Sequence, residues 1–456
     1  MITSQSVACS PPLTPSNPFT RWNFTQPMSP LLMSSSSSKS MRFSCSLPHQ
    51  PPLRCAILGA GFAGLSVAWH LLQNCAKELP LFIDIFDDVG IGGGASGVAA
   101  GLLHPYSPKV KPLWRSTECW SESLKLVQVA ESAWCSRVQN MDTEGAVRSL
   151  NLSLIKKRGI LRPAVNSKNL NIMDNNAQNC LASCRIESID KDAAVALVPG
   201  LSVPLNLAFY MPEALNIHCQ HYLEALYLAC QNAVTDNMSM GTATREMNFW
   251  KKSIYDIREF AGEYNAVVVC LGARAAFLTG FGEIVPLRLC RGVVARMELS
   301  DNFREEYPDH SPSILSDAWL AVQGPRNLQL GSTWEWGSTN HSRTVSDVEA
   351  SRAVEELLPK ASAVYPMIKN WTLAEAVAGL RGMPPLTSHG SLPLLGCVDD
   401  FVGGNPNCQY WIFAGLGAKG LYYHALLGKL MAQAILSRSE DSIPSELLSW
   451  KQRVKK

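Results

Sequence analysis

Gly59, Gly61 and Gly64 stand at G-x-G-x-x-G spacing inside RCAILGAGFAGLSVAWHLL (residues 54–72), and in the later FIDIFDD run a second strand closes on Asp87. The chemistry this pattern offers is dinucleotide binding. Gly59 permits a tight turn, Gly61 lets the backbone approach a pyrophosphate, and Gly64 lets helix pack on strand. Phe62 and Ala63 open the helix, whose first N–H groups and positive dipole end attract phosphate. Asp87, somewhat over twenty residues beyond Gly64, is placed to accept from an adenosine ribose hydroxyl. Asp84 competes for that role, but Ile83 and Ile85 bracket it, whereas Asp87 ends the strand where a ribose lies. The alternative is a glycine-rich strand–helix turn in an α/β protein that binds no nucleotide.

The elements around this loop are strand (Cys55 to Leu58), helix and second strand, and the segment after them is unusual. GGGASGVAAG, from Gly92 through Ala95 and Ser96 to Gly101, presents small residues across which a long cofactor can run without side chains in its way. Later, YNAVVVCLGARA reads as a buried strand ending at Gly272. YWIFAGLGAKGLYYHALLGKLMAQAI reads as strand, glycine-rich turn (Gly415, Gly417, Ala418, Lys419, Gly420) and helix. That turn repeats G-x-G-x-x-G, with Glu440 at a spacing that mimics a ribose acid. Glu440 comes after a helical pattern rather than a second strand, so it cannot take the ribose position.

With 456 residues, 46% of them hydrophobic, the chain can bury two cores. No run approaches the roughly 18 uninterrupted apolar residues of a crossing helix. The net charge of +2 argues against a broad polyelectrolyte surface. Residues 1–53 carry Arg21, Lys39 and Arg42, no acid, and the run SSSSSKS, the composition of an organelle transit peptide. A chloroplast signal is expected, with a mitochondrial signal or a plain tail as alternatives. The 14 cysteines are scattered and many, such as Cys55 and Cys270, sit in apolar runs, so buried thiols are expected rather than disulfides. Cys180 and Cys184 lack the second pair a zinc site needs, and no metal is expected.

The ordered set of ASGVAAG, VVVCLGA, PLRLCRGVV, AGLRG, LPLLG and AGLGAKGL behind the first glycine loop resembles the FAD-binding D-amino acid oxidase superfamily over residues 54–436. Within it, RGVV after PLR, LPLLGCVDD and GLGAKGL are most similar to the flavin half of the bacterial bifunctional protein that completes 5-methylaminomethyl-2-thiouridine in tRNA. Glycine and sarcosine oxidases come next. The resemblance implies an α/β fold: a discontinuous Rossmann-like FAD domain (54–145, 212–285, 375–456) and a mixed-sheet substrate domain (146–211, 286–374).

It also implies hydride transfer from the carbon beside an amine to flavin N5, then imine hydrolysis, with dioxygen as acceptor. Arg381 in AGLRGMP matches the family's G-x-R position, where a guanidinium binds the substrate carboxylate bidentately. A domain-interface salt bridge is its rival role. The chain departs from the family in having Gly382 after that arginine, and Gly390 and Ser391 before Leu392. The GLGAKG turn is expected to face the flavin ring, where its N–H groups stabilise negative charge and Lys419 adds its own; an exposed loop lysine is the alternative.

His104, directly after the small-residue segment, either tunes amine or flavin or is a packed hydrogen-bonding residue. Val98 and Gly382 stand where covalent-flavin relatives carry His and Cys, so FAD is expected to be noncovalent. Trp334 and Trp336 wall a substrate cavity or cap a hairpin; Tyr422, Tyr423 and His424 face flavin or helix core. Basic runs at 109–115, 156–158 and 451–456 are RNA contacts or solvated faces. Three readings remain: an oxidase acting on a carboxymethylamine of a tRNA wobble uridine, an oxidase of glycine, sarcosine or another small amino acid, and an idle flavoprotein. The idle form would lack the carboxylate cation that Arg381 supplies.

Overall fold

The computed structural model describes residues 51–139, 154–239 and 243–454, so most of the expected transit segment lies outside the described residues. Two large sheets organise the chain. The first has six strands in the order Leu394–Cys397, Gln409–Ala414, Ala266–Val269, Leu53–Leu58, Leu81–Phe86 and Arg245–Trp250. Gln409–Ala414, Ala266–Val269, Leu53–Leu58, Leu81–Phe86 and Arg245–Trp250 run parallel, and Leu394–Cys397 is antiparallel to its neighbour. Parallel strands covered on both faces read as continuous apolar runs. AVVV at 266–269 is such a run and is buried at every residue.

The first strand begins at Leu53, two residues before the expected Cys55, because Leu53 pairs with Leu81 at the start of the second strand. Helix Phe62–Asn74 packs against helix Gly420–Ser437 closely enough that Ser66 Oγ donates to His424 O at 2.8 Å. A side chain on Gly428 would collide with Ser66, so glycine sets that helix spacing.

The second sheet has nine strands and is mixed. Its long members, Arg288–Leu299 and Trp371–Met383, pair antiparallel, with Cys290 opposite Arg381 and Gly292 opposite Gly379. Strands Trp319–Gly324 and Asn327–Gly331 continue it, and Ser313–Ile314 pairs parallel with Ile160–Pro163. The strand Trp371–Met383 belongs wholly to this sheet, so the chain leaves it at Met383 rather than at 374. A three-stranded sheet of Leu102–Leu103, Leu215–Ile217 and Ile155–Lys156 likewise pairs segments that the expected boundaries separate. Among the described residues no helix is long and apolar enough to cross a membrane, and no cluster of His, Cys, Asp and Glu can hold a metal.

Candidate active site

Parallel strands end on the same side of their sheet, and ligands of open α/β sheets bind beyond those carboxyl ends. Four such ends here deliver Gly59, Asp87, Gly272 and Gly415 to a single cavity of about 990 Å³. Gly59 adopts φ +110°, and a side chain there would come within 2.8 Å of the Cys270 carbonyl carbon. A Cβ on Gly61 would stand 2.8 Å from Ser96 Oγ, which accepts from Phe62 N at 3.2 Å at the start of the first helix. Gly64 is off the cavity wall: a Cβ there would collide with Gly59 O, so it serves helix–strand contact alone.

Asp87 lines the cavity and accepts from Ala60 N, Val89 N and Gly90 N at 2.9–3.0 Å, which fixes its carboxylate at the strand's end. Asp84 is buried instead, accepting from Trp250 Nε1, Asn248 Nδ2 and Tyr264 OH, and so ties neighbouring strands together. Glu440 is likewise structural, accepting from Cys397 N and pairing with Lys451 at 2.6 Å. Of the small-residue segment, Gly93, Gly94, Ala95, Ser96, Ala99 and Ala100 line the cavity. Gly92 and Gly97 do not; both pack against Gln220.

The opposite wall is the long strand pair of the second sheet. Residues directly opposite on antiparallel strands share a face. Cys290 with Arg381 and Gly292 with Gly379 therefore occupy one face, and Gly292, Gly379 and Arg381 all line the cavity. Arg381 donates from Nη2 to Thr333 O at 2.7 Å and from Nη1 to Ser332 Oγ at 3.3 Å, and its Cζ lies 4.1 Å from the Trp334 ring centroid. Its longer contacts are to the carbonyls of Cys290 and Arg291. Among the described residues it has no ion-pair partner, which removes the interface salt bridge as its role. Burial pulls its pKa below the ordinary arginine value.

Lys419 precedes the terminal helix, lines the cavity and donates to Tyr106 O at 3.4 Å; it is not an exposed loop lysine. Burial, then the nearby Arg162, lowers its pKa to about 8. His104 is 5% exposed, lines the same cavity, and its Nδ1 accepts from Tyr106 N at 3.3 Å. Burial, Lys419 and Arg162 push its pKa well below the ordinary histidine range, so it is neutral, with its proton on Nε2. Gly272, Gly415, Gly417, Ala418 and Gly420 complete this side.

Tyr422, Tyr423 and His424 belong to the helix core instead. His424 Nε2 meets Tyr222 OH at 2.7 Å and is fully buried. Trp334 walls the cavity and Trp336 stands outside it.

Sequence reasoning missed Gly292 as a site residue. A Cβ there would collide with Arg381 Nη2 and lie 2.7 Å from Cζ, so glycine makes the bed for the guanidinium. Its signal was the RGVV motif, read only as a family mark. Arg343 was missed altogether: it lines the cavity and donates to Gly92 O and Gly93 O at 3.4–3.5 Å, with no sequence pattern around it.

These features fit FAD: a helix N-terminus kept clear by Gly61, an acid at the next strand's end, and a small-residue strip along a long cavity. They define a dinucleotide-binding α/β protein whose cavity lies between two sheets. The chain belongs to the DAO family of FAD dependent oxidoreductases, which it matches over residues 54–434. A Rhizobium etli protein assigned to thiamine biosynthesis as the oxidoreductase ThiO is 23% identical over 350 residues, 74% of this chain and 88% of that one. Glycine oxidase from Geobacillus kaustophilus superposes with a TM-score of 0.64 at 19% identity, covering 87% of this chain and 98% of that one. L-proline dehydrogenase from P. horikoshii gives 0.64 at 13% identity, covering 89% and 99%. The protein is an FAD-dependent oxidoreductase.

Proposed function

We propose that the protein oxidises the C–N bond of an amine whose adjacent carbon bears a carboxylate, with that carboxylate on Arg381. The observation that carries this reading is the guanidinium itself: half-buried in the cavity wall and hydrogen-bonded to carbonyl and hydroxyl oxygens, with the nearby Glu335 paired to Arg291 rather than to it. Carbonyl dipoles satisfy its N–H groups without cancelling its charge, so an anion entering the cavity gains the uncompensated part. The Gly59–Gly64 turn, Asp87 and the Ala95–Ser96 strip would hold FAD noncovalently, and the bound group would supply a two-electron acceptor for the C–H beside the nitrogen, with dioxygen as the terminal oxidant.

The net reaction is R–NH–CH2–COO⁻ + H2O + O2 → R–NH2 + OHC–COO⁻ + H2O2. The chain's residues position and protect. Arg381 orients the carboxylate, and Trp334 covers the guanidinium against water. Lys419 holds positive charge at the mouth of the terminal helix, where its own N–H groups also converge. His104 contributes a neutral N–H rather than a base, since Nδ1 already accepts from Tyr106.

The carboxymethylaminomethyl group of a tRNA wobble uridine carries the same N–CH2–COO⁻ unit and enters the same test. Anaerobic bleaching of the flavin absorbance is compared for glycine, sarcosine and tRNA bearing that base, in the wild type and in Arg381→Ala. The variant should keep its flavin and lose about 2–4 kcal/mol of transition-state stabilisation toward whichever carboxylate bleaches the wild type. Unchanged kinetics in Arg381→Ala would remove the carboxylate anchor. Bleaching by the RNA alone would establish the nucleic-acid substrate.

A further inference from the structure

Beyond Arg381 the cavity opens onto a second hollow of about 720 Å³, and Phe277 and His341 wall both. Around this mouth the chain leaves large aromatic surface in water: Trp334 is 46% exposed, Trp336 47% and Phe277 48%. Such rings clustered at a cavity rim mark a binding surface rather than scattered apolar exposure. They are also ordered by their neighbours. Trp334 and Trp336, two apart on one chain segment, stack at 6.0 Å with planes 27° apart. Arg288 Cζ sits 4.4 Å from the Trp336 centroid, and Phe277 and His341 lie 4.8 Å apart at 31°.

The placement comes from register. Arg381, Cys290 and Trp336 lie opposite one another on three adjacent strands, so the carboxylate anchor and Trp336 share a sheet face. Adjacent strands are about 4.8 Å apart, which puts the two residues roughly 10 Å apart along the sheet. In an N-(arylmethyl)glycine, four single bonds of about 1.5 Å separate the carboxylate carbon from the ring. With a hydrogen bond of about 3 Å to the guanidinium, the ring reaches the tryptophan surface.

We propose that this rim is a substrate subsite for a planar aromatic or heteroaromatic ring joined by a short linker to the amine nitrogen. The ring stacks on Trp336 beside Phe277 and His341, while the carboxylate occupies Arg381. The guanidinium of Arg288 holds Trp336 in place and offers a second planar face. The proposal rests on Arg381 as the carboxylate anchor and adds the class of group carried on the nitrogen.

The test uses the FAD-bound protein and two ethers that cannot undergo amine oxidation, methoxyacetate and benzyloxyacetate, analogues of sarcosine and N-benzylglycine. Both are titrated against the flavin absorbance spectrum. Benzyloxyacetate should bind at least 10-fold more tightly in the wild type. Trp336→Ala should abolish that advantage while leaving the methoxyacetate Kd unchanged, and Trp336→Phe should restore part of it. Equal affinities in the wild type, or an advantage that survives in Trp336→Ala, would overturn the subsite and leave the carboxylate anchor standing. A spectrum that neither ether perturbs would overturn both.

Discussion

Gly292→Ala tests whether the bed beneath Arg381 matters to chemistry. The added methyl would lie 2.7 Å from Arg381 Cζ and 2.9 Å from Thr333 O, and would collide with Nη2. Carbon–carbon contacts relax near 3.5–4.0 Å, so the guanidinium must move by about 1 Å. The bond that suffers is Nη2 to Thr333 O, 2.7 Å long and charge-assisted, of a kind worth about 1.5–3 kcal/mol. A displacement of about 1 Å in a positioning group costs on the order of 10²-fold in rate. We therefore expect kcat/KM toward a carboxylated amine to fall about 100-fold.

The flavin should stay bound, because Gly292 lies on the second sheet while the Gly59–Gly64 turn and Asp87 lie on the first. The assay is steady-state turnover beside the flavin content of the purified variant, with a Kd for methoxyacetate read from the flavin spectrum. Full activity with unaltered methoxyacetate affinity would refute the role given to Gly292. Loss of flavin together with activity would show that the variant disturbs the fold instead.

Gly61→Leu should abolish FAD retention, because even its Cβ comes within 2.8 Å of Ser96 Oγ and the rest of the side chain fills the helix N-terminus; a fully yellow purified variant would count against the cradle. Stability should also fall below neutrality. Burial holds His424 at about 3 and, despite nearby Glu122, His70 at about 4 in the fold, against 6.5 when unfolded. The unfolded chain therefore binds protons that the folded chain refuses as pH drops below about 6.5. Each histidine should cost about 2 kcal/mol between pH 7.5 and 5, measured by urea unfolding, and His424→Gln should flatten the dependence by one such share. An unaltered pH difference in that variant would mean that His424 is protonated in the fold.

The first sheet was legible because its functional positions are dictated by backbone. Gly59 needs its positive φ, Gly61 and Gly64 need close approach, and Asp87 ends a strand whose length is fixed by pairing with Leu53–Leu58. Such demands leave residue-type signatures within a few positions of each other. The second sheet leaves none so local. Gly292 and Arg381 meet only because strands 89 residues apart pair with Cys290 opposite Arg381, and no spacing rule encodes that register. Arg343 reaches the Gly92–Gly93 carbonyls from a loop with no periodicity at all. The extent of the second sheet escaped for a related reason: AGLRG was marked only by its family motif, whereas it lies inside a 13-residue strand whose glycines make room for their neighbours.

Charge on the cavity wall separates the question of what class of molecule binds from the question of which one. Asp87 accepts from three backbone N–H groups and keeps its negative charge at the end of its strand, Asp88 is paired with Arg274, and Lys252 with Glu259. Asp317 faces Arg162, which it holds toward its charged form. Away from Asp87 the wall carries three cations, Arg343, Arg381 and Lys419, each bonded to main-chain carbonyls. Carbonyls fix these side chains in place and offset their charge less than an ion pair would, so the wall around them favours anions. A cofactor pyrophosphate and a substrate carboxylate both answer that field, and a neutral amine does not. With the carboxylate on Arg381 as proposed, the field sorts carboxylated amines from the rest but cannot tell glycine from a larger N-substituted relative. On the proposed reading, that discrimination falls to shape at the rim, where Phe277, Trp334, Trp336 and His341 stand.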